Sequence, residues 1–285
     1  WRRPRGPEPV ASNPFGKISS MVDPDLIFIK LGGSLITDKD TPNTARTQQI
    51  LQLLQAIQFA RTQKPALKII LGHGSGSFGH TAGDRFNTRA GVTSAADWQG
   101  FQLVWQAAHA LNQIVVEQCQ AAGLPVIVFP PSACVLTDNH QVVCWELEPL
   151  TAALERGLLP LVFGDVVFDK SIGGTILSTE ELFAHLAPIL KPSRILLAGI
   201  EAGVWADYPA CTQLLPLLSG DNYHEDTLQG SASVDVTGGM RSKVNLMMAL
   251  CRQVPGLQAQ IFSALEPNAL AEIILGADSG TRISA

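Results

Sequence analysis

The chain has 285 residues, 46% of them hydrophobic, which is enough to bury a substantial core and excludes an unstructured or fibrous class. No apolar run approaches the roughly 18 residues of a membrane span; Leu158 to Phe168, among the richest stretches, is broken by Pro160, Gly164 and Asp165. A formal charge of −5, with Lys and Arg scattered apart from Arg2, Arg3 and Arg5, excludes general attraction to nucleic acid, so phosphate binding would have to be local.

The first segment, Trp1 to Pro24, is rich in Pro, Ser and Arg and lacks both periodicity and the apolar core of a signal peptide. It reads as a disordered extension, with Met21 a candidate natural start, ahead of a single domain from residue 25 to 285. Leu26 to Leu31 reads as a strand that runs into Gly32-Gly33-Ser34. Thr44 to Gln63 has helical spacing (Ile50, Leu53, Leu54, Ile57) without internal Gly or Pro. Lys68 to Leu71 is a second strand, leading into Gly72-His73-Gly74-Ser75-Gly76-Ser77-Phe78-Gly79-His80, and the three pieces make a βαβ unit. Ser94 to Ala122 is a long helical region that stops at Gly123. Strands are expected at Val126 to Phe129, Leu159 to Val167, Arg194 to Gly199 and Gln260 to Ala264, and helices at Gly239 to Arg252 and Asn268 to Leu275. Alternating helices and near-continuously apolar strands predict an α/β fold, a three-layer αβα sandwich around a central, mainly parallel sheet. The five cysteines are far apart, odd in number and without CxxC spacing, which argues against a disulfide framework or a zinc site and fits a cytoplasmic protein.

In such a sheet ligands sit beyond the carboxyl ends of the strands, where the glycine runs fall. Glycine lets the backbone approach a phosphate and turn several N–H groups towards it. One Gly-Gly pair could be an ordinary tight turn, but two such loops on successive strands point to phosphate binding. No G-x-x-x-x-G-K-[ST] motif occurs, and the G-x-G-x-x-G of Gly74 to Gly79 runs on into His80 rather than opening a dinucleotide-binding helix. Lys30 stands beside Gly32-Gly33, and Lys39 follows one short turn later, within reach of the same phosphates. A third anion site is Asp235-Val236-Thr237-Gly238-Gly239-Met240-Arg241-Ser242-Lys243, where a Gly pair opens a helix and Lys243 lies one turn inside it. Phosphoryl transfer draws mainly on positioning and on charge around the transferring group, which lysines and amides supply.

Together these segments resemble the amino acid kinase family and, within it, the isopentenyl phosphate kinases. The resemblance runs from about Asp25 to the C-terminus. It rests on Lys30-Leu31-Gly32-Gly33-Ser34 with Lys39, on His73 to His80, on Gly164-Asp165-Val166, and on Asp235 to Met240 with Lys243. The loop ending in Phe78-Gly79-His80 is the most specific piece, because in the kinases it resembles the closing histidine hydrogen-bonds the phosphate of the acceptor. Two departures stand out: Thr179-Glu180 where relatives commonly have Gly-Asp, and Ala202 where an Asp usually precedes Gly203.

The resemblance implies ATP-dependent phosphorylation of isopentenyl phosphate to isopentenyl diphosphate, with Mg2+, by a soluble enzyme that is commonly a homodimer. Lys30 and Lys243 would bind ATP phosphates, with Gly32, Gly33, Gly76, Gly238 and Gly239 bringing amides to the nucleotide. Lys39 would stabilise the transferring phosphoryl group, while Ser75, His80 and Gly164 would hold the acceptor phosphate. Asp165 would orient the lysines or a magnesium-bound water. For the isoprenoid tail, Phe86, Val92, Trp98, Phe101, Val104 and Trp105 offer apolar surface. The same fold also serves glutamate-type carboxylates, nucleoside monophosphates and phosphonates as acceptors, and a nucleotide sensor without turnover is a reading of a different class.

Overall fold

The computed structural model describes residues 23–79, 86–220 and 239–285. Strand β1 (Asp23–Leu31) ends in a one-turn helix α1 (Gly33–Ile36), and α2 (Thr47–Gln63) leads to β2 (Lys68–His73). Next come the long α3 (Ala95–Ala121), β3 (Val126–Val128), the one-turn α4 (Pro131–Cys134), the hairpin β4 (Val135–Asp138) and β5 (Gln141–Trp145), and α5 (Glu148–Glu155). Then follow β6 (Leu159–Phe163), β7 (Asp165–Asp169), β8 (Gly173–Leu177), α6 (Thr179–Leu190) and β9 (Pro192–Gly199). The chain closes with the two-residue strands β10 (Val204–Trp205), β11 (Leu214–Leu215) and β12 (Leu217–Leu218), then α7 (Gly239–Gln253), β13 (Gln258–Ser263), α8 (Pro267–Leu275) and β14 (Thr281–Ile283).

Among the described residues the main sheet has the order β12-β14-β13-β9-β1-β2-β6-β3, and β14 alone runs antiparallel to a neighbour, β13. Side-chain alternation divides the core between its faces. Ile27, Ile29 and Leu31 of β1 pack with Ile50, Leu53, Leu54 and Ile57 of α2 and with α3 and α8, while Leu26 and Phe28 point the other way, to α5, α6 and α7. The expected sandwich with a mainly parallel sheet is therefore present.

Helix boundaries follow local chemistry. Ser94 caps α3 by accepting from the Asp97 amide while the Asp97 carboxylate accepts from the Ser94 amide, and the helix ends just before Gly123 at φ +75°. The guanidinium of Arg194 donates to the carbonyls of Ile273 and Ile274, closing the C-terminus of α8.

One sequence expectation is corrected. Leu159 to Val167 is not a single strand: it breaks at Gly164, and its two halves belong to different sheets. β6 stays in the main sheet, whereas β7 joins a four-stranded sheet of order β5-β4-β7-β8. The apolar pattern is continuous because β6 is buried on both faces and Val166 and Val167 are also buried, so composition carries no trace of the change of sheet. Several further elements lie outside the sequence reading, among them the β4–β5 hairpin, α5, β8 and α6. The β4–β5 hairpin turns at Asn139 and His140, both at positive φ, and α6 carries an internal Pro188 that interrupts its helical signal. The N-terminal extension to residue 22, His80 and residues 221–238 lie outside the described residues.

Candidate active site

A cavity of about 450 Å³, within the roughly 300–1,000 Å³ usual for small-molecule sites, runs across the carboxyl ends of the central strands. Strand order sets its layout. Lys30 and the two glycine loops lie in the middle, at β1 and β2; Gly199, Ile200, Glu201 and Met240 line the wing at β9 and β13; Gly164, Asp165, Val104 and Ala108 line the wing at β6.

The two glycine loops touch through backbone. The Gly32 amide donates to Ala198 O at 2.8 Å and the Gly74 amide to Leu31 O at 3.0 Å, which ties each loop to the neighbouring strand end. Gly33 lies against Gly76, which is at φ +49°, and a Cβ on Gly33 would fall 2.6 Å from the Gly76 Cα. Only glycine fits both positions. Ser75 O accepts from the amides of Phe78 and Gly79, so residues 75–79 form a turn of which Ser75, Gly76, Ser77 and Gly79 line the cavity. Thr37, fully buried, links the loops: its hydroxyl donates to Gly33 O at 2.8 Å and accepts from the Ser77 amide at 3.0 Å.

The lysines converge on the same space. Lys30, Lys39 and Lys243 all line the cavity; Lys30 is buried and Lys39 lies at the exposed mouth. The Lys30 Nζ is in ion-pair contact with the carboxylate of Glu180, itself 4% exposed at the start of α6. Burial by itself would raise the Glu180 carboxyl above its ordinary value, but the charges of Lys30 and Lys243 outweigh it and hold the group low, so it is ionised. Glu180 is thus the carboxylate that serves both lysines. Its position is set by the Ser178 cap of α6 and by Glu181, which accepts from the Ser178 amide at 2.7 Å and takes a two-pronged ion pair from Arg89. The departure Thr179-Glu180 therefore falls in the site itself. Thr179 donates its hydroxyl to His73 O at 2.6 Å, fastening α6 to the base of the second loop.

Asp165, expected to orient the lysines or a magnesium-bound water, lines the cavity and is bonded to protein groups. Its Oδ2 accepts from the Ser132 amide at 3.2 Å and lies 3.1 Å from His109 Nε2, and its Oδ1 accepts from the Val166 amide. It anchors the β6–β7 break to α3 and α4. His73 lies beneath the second loop: Nδ1 is 3.1 Å from Gly74 O, the ring stacks on Phe163 at 5.3 Å, and Nε2 is 3.2 Å from Asn112 Oδ1. Burial keeps this ring below its ordinary value of 6.5, against the pull of the Gly74 and Asn112 contacts, so it is neutral. Both ring nitrogens thus face oxygen acceptors, and the single N–H of the neutral ring donates to one of them according to its tautomer.

Of the apolar residues expected at the tail, Val104 lines the cavity, together with Ala108 and Ile176; Val92 and Phe101 pack behind Val104 in a small cluster with Val166. Trp98 and Trp105 are more than a third exposed. In the second departure, Glu201 lines the cavity, and Gly203 packs against Thr281. Gly239 opens α7 at φ +69° and Lys243 is one turn in. His80 and Gly238 lie outside the described residues. Sequence reasoning gave no role to Thr37 or Asn112 and marked Glu180 only as a departure from the relatives. The S-x-x-E cap of Ser178 and Glu181 marks the helix start on which Glu180 sits, but not Glu180 itself.

The sequence model described as the amino acid kinase family matches residues 25–263. The chain belongs to that family. Among curated relatives it is 29% identical over 269 residues to the isopentenyl phosphate kinase of Methanothermobacter thermautotrophicus, covering 91% of this chain and 99% of the relative. It is 27% identical over 267 residues to that of Methanocaldococcus jannaschii, covering 90% and 98%. A crystal structure described as isopentenyl phosphate kinase superposes with a TM-score of 0.75 at 26% identity, over 91% of this chain and 100% of the other. The fold is shared more widely: N-acetylglutamate synthase from Neisseria gonorrhoeae matches with a TM-score of 0.61 at 14% identity, over 91% of this chain and 61% of the other.

Proposed function

We propose that this member of the amino acid kinase family phosphorylates isopentenyl phosphate to isopentenyl diphosphate, with ATP as the donor. One observation carries the reading at the level of the site: Lys30 and two glycine loops in mutual contact occupy the centre of one cavity that Lys39 and Lys243 also line, and the β6 wing beside them is walled by Val104, Ala108 and Ile176. The centre suits two phosphates and the wing a short apolar tail. The relatives named isopentenyl phosphate kinases, aligned over nearly their full length, supply the acceptor's identity.

In this reading the nucleotide lies along the β9 and β13 wing, with its phosphates between Lys30, Lys243 and the amides of Gly33, Gly76 and Gly239, and with Gly238 assigned by resemblance; the Gly32 amide, expected to join them, is instead bonded to Ala198 O. The acceptor phosphate lies by Ser75, Gly164 and His80, the last assigned by resemblance. An oxygen of the acceptor phosphate attacks the γ-phosphorus, the bond from that phosphorus to the bridging oxygen breaks, and ADP leaves. The acceptor oxygen is already ionised near neutral pH, so no general base is required. Lys39 supplies charge to the transferring group, and Glu180 holds Lys30 and Lys243 in register while limiting their mutual repulsion.

Mg2+ would accompany the nucleotide and offset charge on its β- and γ-phosphates. The carboxylates at the cavity fit an ion held mostly by phosphate and water: Asp165 is bonded to His109 and Ser132, and Glu180 is paired with Lys30 but close enough to the phosphate centre to meet a magnesium-bound water. Assembly as a homodimer and a cytoplasmic location are part of the same proposal, the first from resemblance and the second from the pattern of cysteines. No described helix is long and apolar enough to cross a membrane.

The test is ADP release measured across isopentenyl phosphate, glutamate, UMP and fosfomycin. Turnover is expected with isopentenyl phosphate. Turnover with glutamate, UMP or fosfomycin in its place would reassign the acceptor, and ATP binding without turnover on any of them would favour a sensor. His80→Ala is expected to act mainly by raising KM for the acceptor.

A further inference from the structure

We infer that Thr37 is a positioning residue whose hydroxyl sets the spacing between the donor and acceptor phosphate loops, and hence the distance over which the phosphoryl group travels. The inference rests on the transfer reading above. Its ground is that one buried oxygen is bonded to both loops at once: Thr37 Oγ1 donates to Gly33 O at 2.8 Å in the first loop and accepts from the Ser77 amide at 3.0 Å in the second. Thr37 is fully buried and lines the cavity between them. The same side chain occupies the space that a Cβ on Gly76 would need, so the close approach of Gly33 and Gly76 is shaped around it.

Thr37 is itself held from both sides. Its own amide donates to Gly33 O at 2.9 Å, and it forms an antiparallel bridge with Ala45, supported by the Asp38 amide to Thr44 O at 2.9 Å and the Arg46 amide to Ile36 O at 2.8 Å. Movement of the hydroxyl is therefore restricted, and Lys39, two residues on at the cavity mouth, is carried on the same anchored segment. A hydroxyl is the group this junction requires, because it must donate to a carbonyl and accept from an amide simultaneously. Serine satisfies that condition. Valine, of nearly the same shape, does not.

The test compares Thr37→Val and Thr37→Ser with the wild-type chain. Binding of ATP and of isopentenyl phosphate is measured separately, and turnover with both. Thr37→Val is expected to lower kcat on the order of 100-fold, as a misplacement of about 1 Å does, with each dissociation constant changed less than about 5-fold and with Thr37→Ser restoring kcat to within about 3-fold. The inference is overturned if Thr37→Val keeps kcat within about 3-fold of wild type, if Thr37→Ser loses as much as Thr37→Val, or if the loss lies wholly in nucleotide affinity. Should Thr37→Val fail to fold, Thr37→Ala removes the same hydroxyl without its bulk, and the same criteria apply. If the wild-type chain does not turn over isopentenyl phosphate, it is the functional reading that fails. The loop junction is then judged by hydrogen exchange at the Ser77 amide, expected to quicken in Thr37→Val and recover in Thr37→Ser; unchanged exchange in Thr37→Val overturns it.

Discussion

Gly33 and Gly76 meet backbone to backbone: a Cβ on Gly33 would lie 2.6 Å from the Gly76 Cα, and a Cβ on Gly76 would lie 2.7 Å from Gly33 O. The contact joins the phosphate loop after β1 to the one after β2, and neither partner is a flexible side chain that can turn aside. Gly33→Ala and Gly76→Ala are therefore each expected to cost about 2 kcal/mol or more of stability and to abolish most turnover, as read from denaturant midpoints and ADP release. Gly157→Ala is the control. Gly157 also has positive φ, +73°, but nothing lies within 4 Å of its Cβ position, so the cost should be only about 1 kcal/mol with turnover unchanged. Equal losses at all three positions would remove the steric argument.

Removing either member of the Lys30–Glu180 pair strands the other in a buried site. Glu180→Gln leaves Lys30 and Lys243 without their shared carboxylate and is expected to destabilise the protein by about 3 kcal/mol while lowering kcat. In the proposed reading Lys30→Met also removes a charge-assisted contact to nucleotide phosphate worth about 1.5–3 kcal/mol, which corresponds to a rise in KM for ATP of roughly 10- to 100-fold. Calorimetric melting and initial rates at varied ATP distinguish the two outcomes.

Lys39 sits at the exposed mouth of the cavity, and in the proposed reading its partner is charge that develops during transfer. Lys39→Ala should lower kcat by about 100-fold or more, with ATP affinity nearly unchanged. An equal loss in ATP binding measured by titration calorimetry would assign this lysine to the ground state.

Acid should destabilise the fold in two stages. The His73 ring is held below its ordinary value of 6.5, so the unfolded chain takes up a proton there first; the stability from the neutral buried ring is complete above pH 6.5 and is lost as pH falls towards the depressed folded value. Glu180 and Glu181 are likewise held below their ordinary 4.5, so their contribution is complete above pH 4.5 and is lost at lower pH. Melting temperature is thus expected to decline below pH 6.5 and more steeply below 4.5. Glu181→Gln should flatten the lower limb alone, and a curve flat from pH 7 to pH 4 would contradict the His73 assignment.

The amino-acid sequence by itself determined the strand and helix order around the phosphate loops, because apolar periodicity, Gly at loop starts and Lys beside Gly are local features that no distant contact has to complete. Lys30, Gly33 and Gly76 line the cavity at the strand ends where the glycine runs fall in the sequence, and Lys39 and Lys243 line it too. Three features needed the tertiary structure. The strand break at Gly164 depends on β7 finding Leu177 and Ile176 as partners across a hairpin, which composition does not encode. The assignment of carboxylates depends on which helix end faces Lys30: Asp165 stands next to a glycine in sequence but bonds His109 and Ser132, whereas Glu180, 150 positions from Lys30, meets it in space. The link between the loops depends on Thr37, whose hydroxyl looks like any other in a one-dimensional reading and becomes decisive only when β1 and β2 lie side by side and bring Gly33 and Ser77 within hydrogen-bond reach of it. Local chemistry marks which residues can bind phosphate; parallel pairing of strands far apart in sequence decides which of them share one cavity.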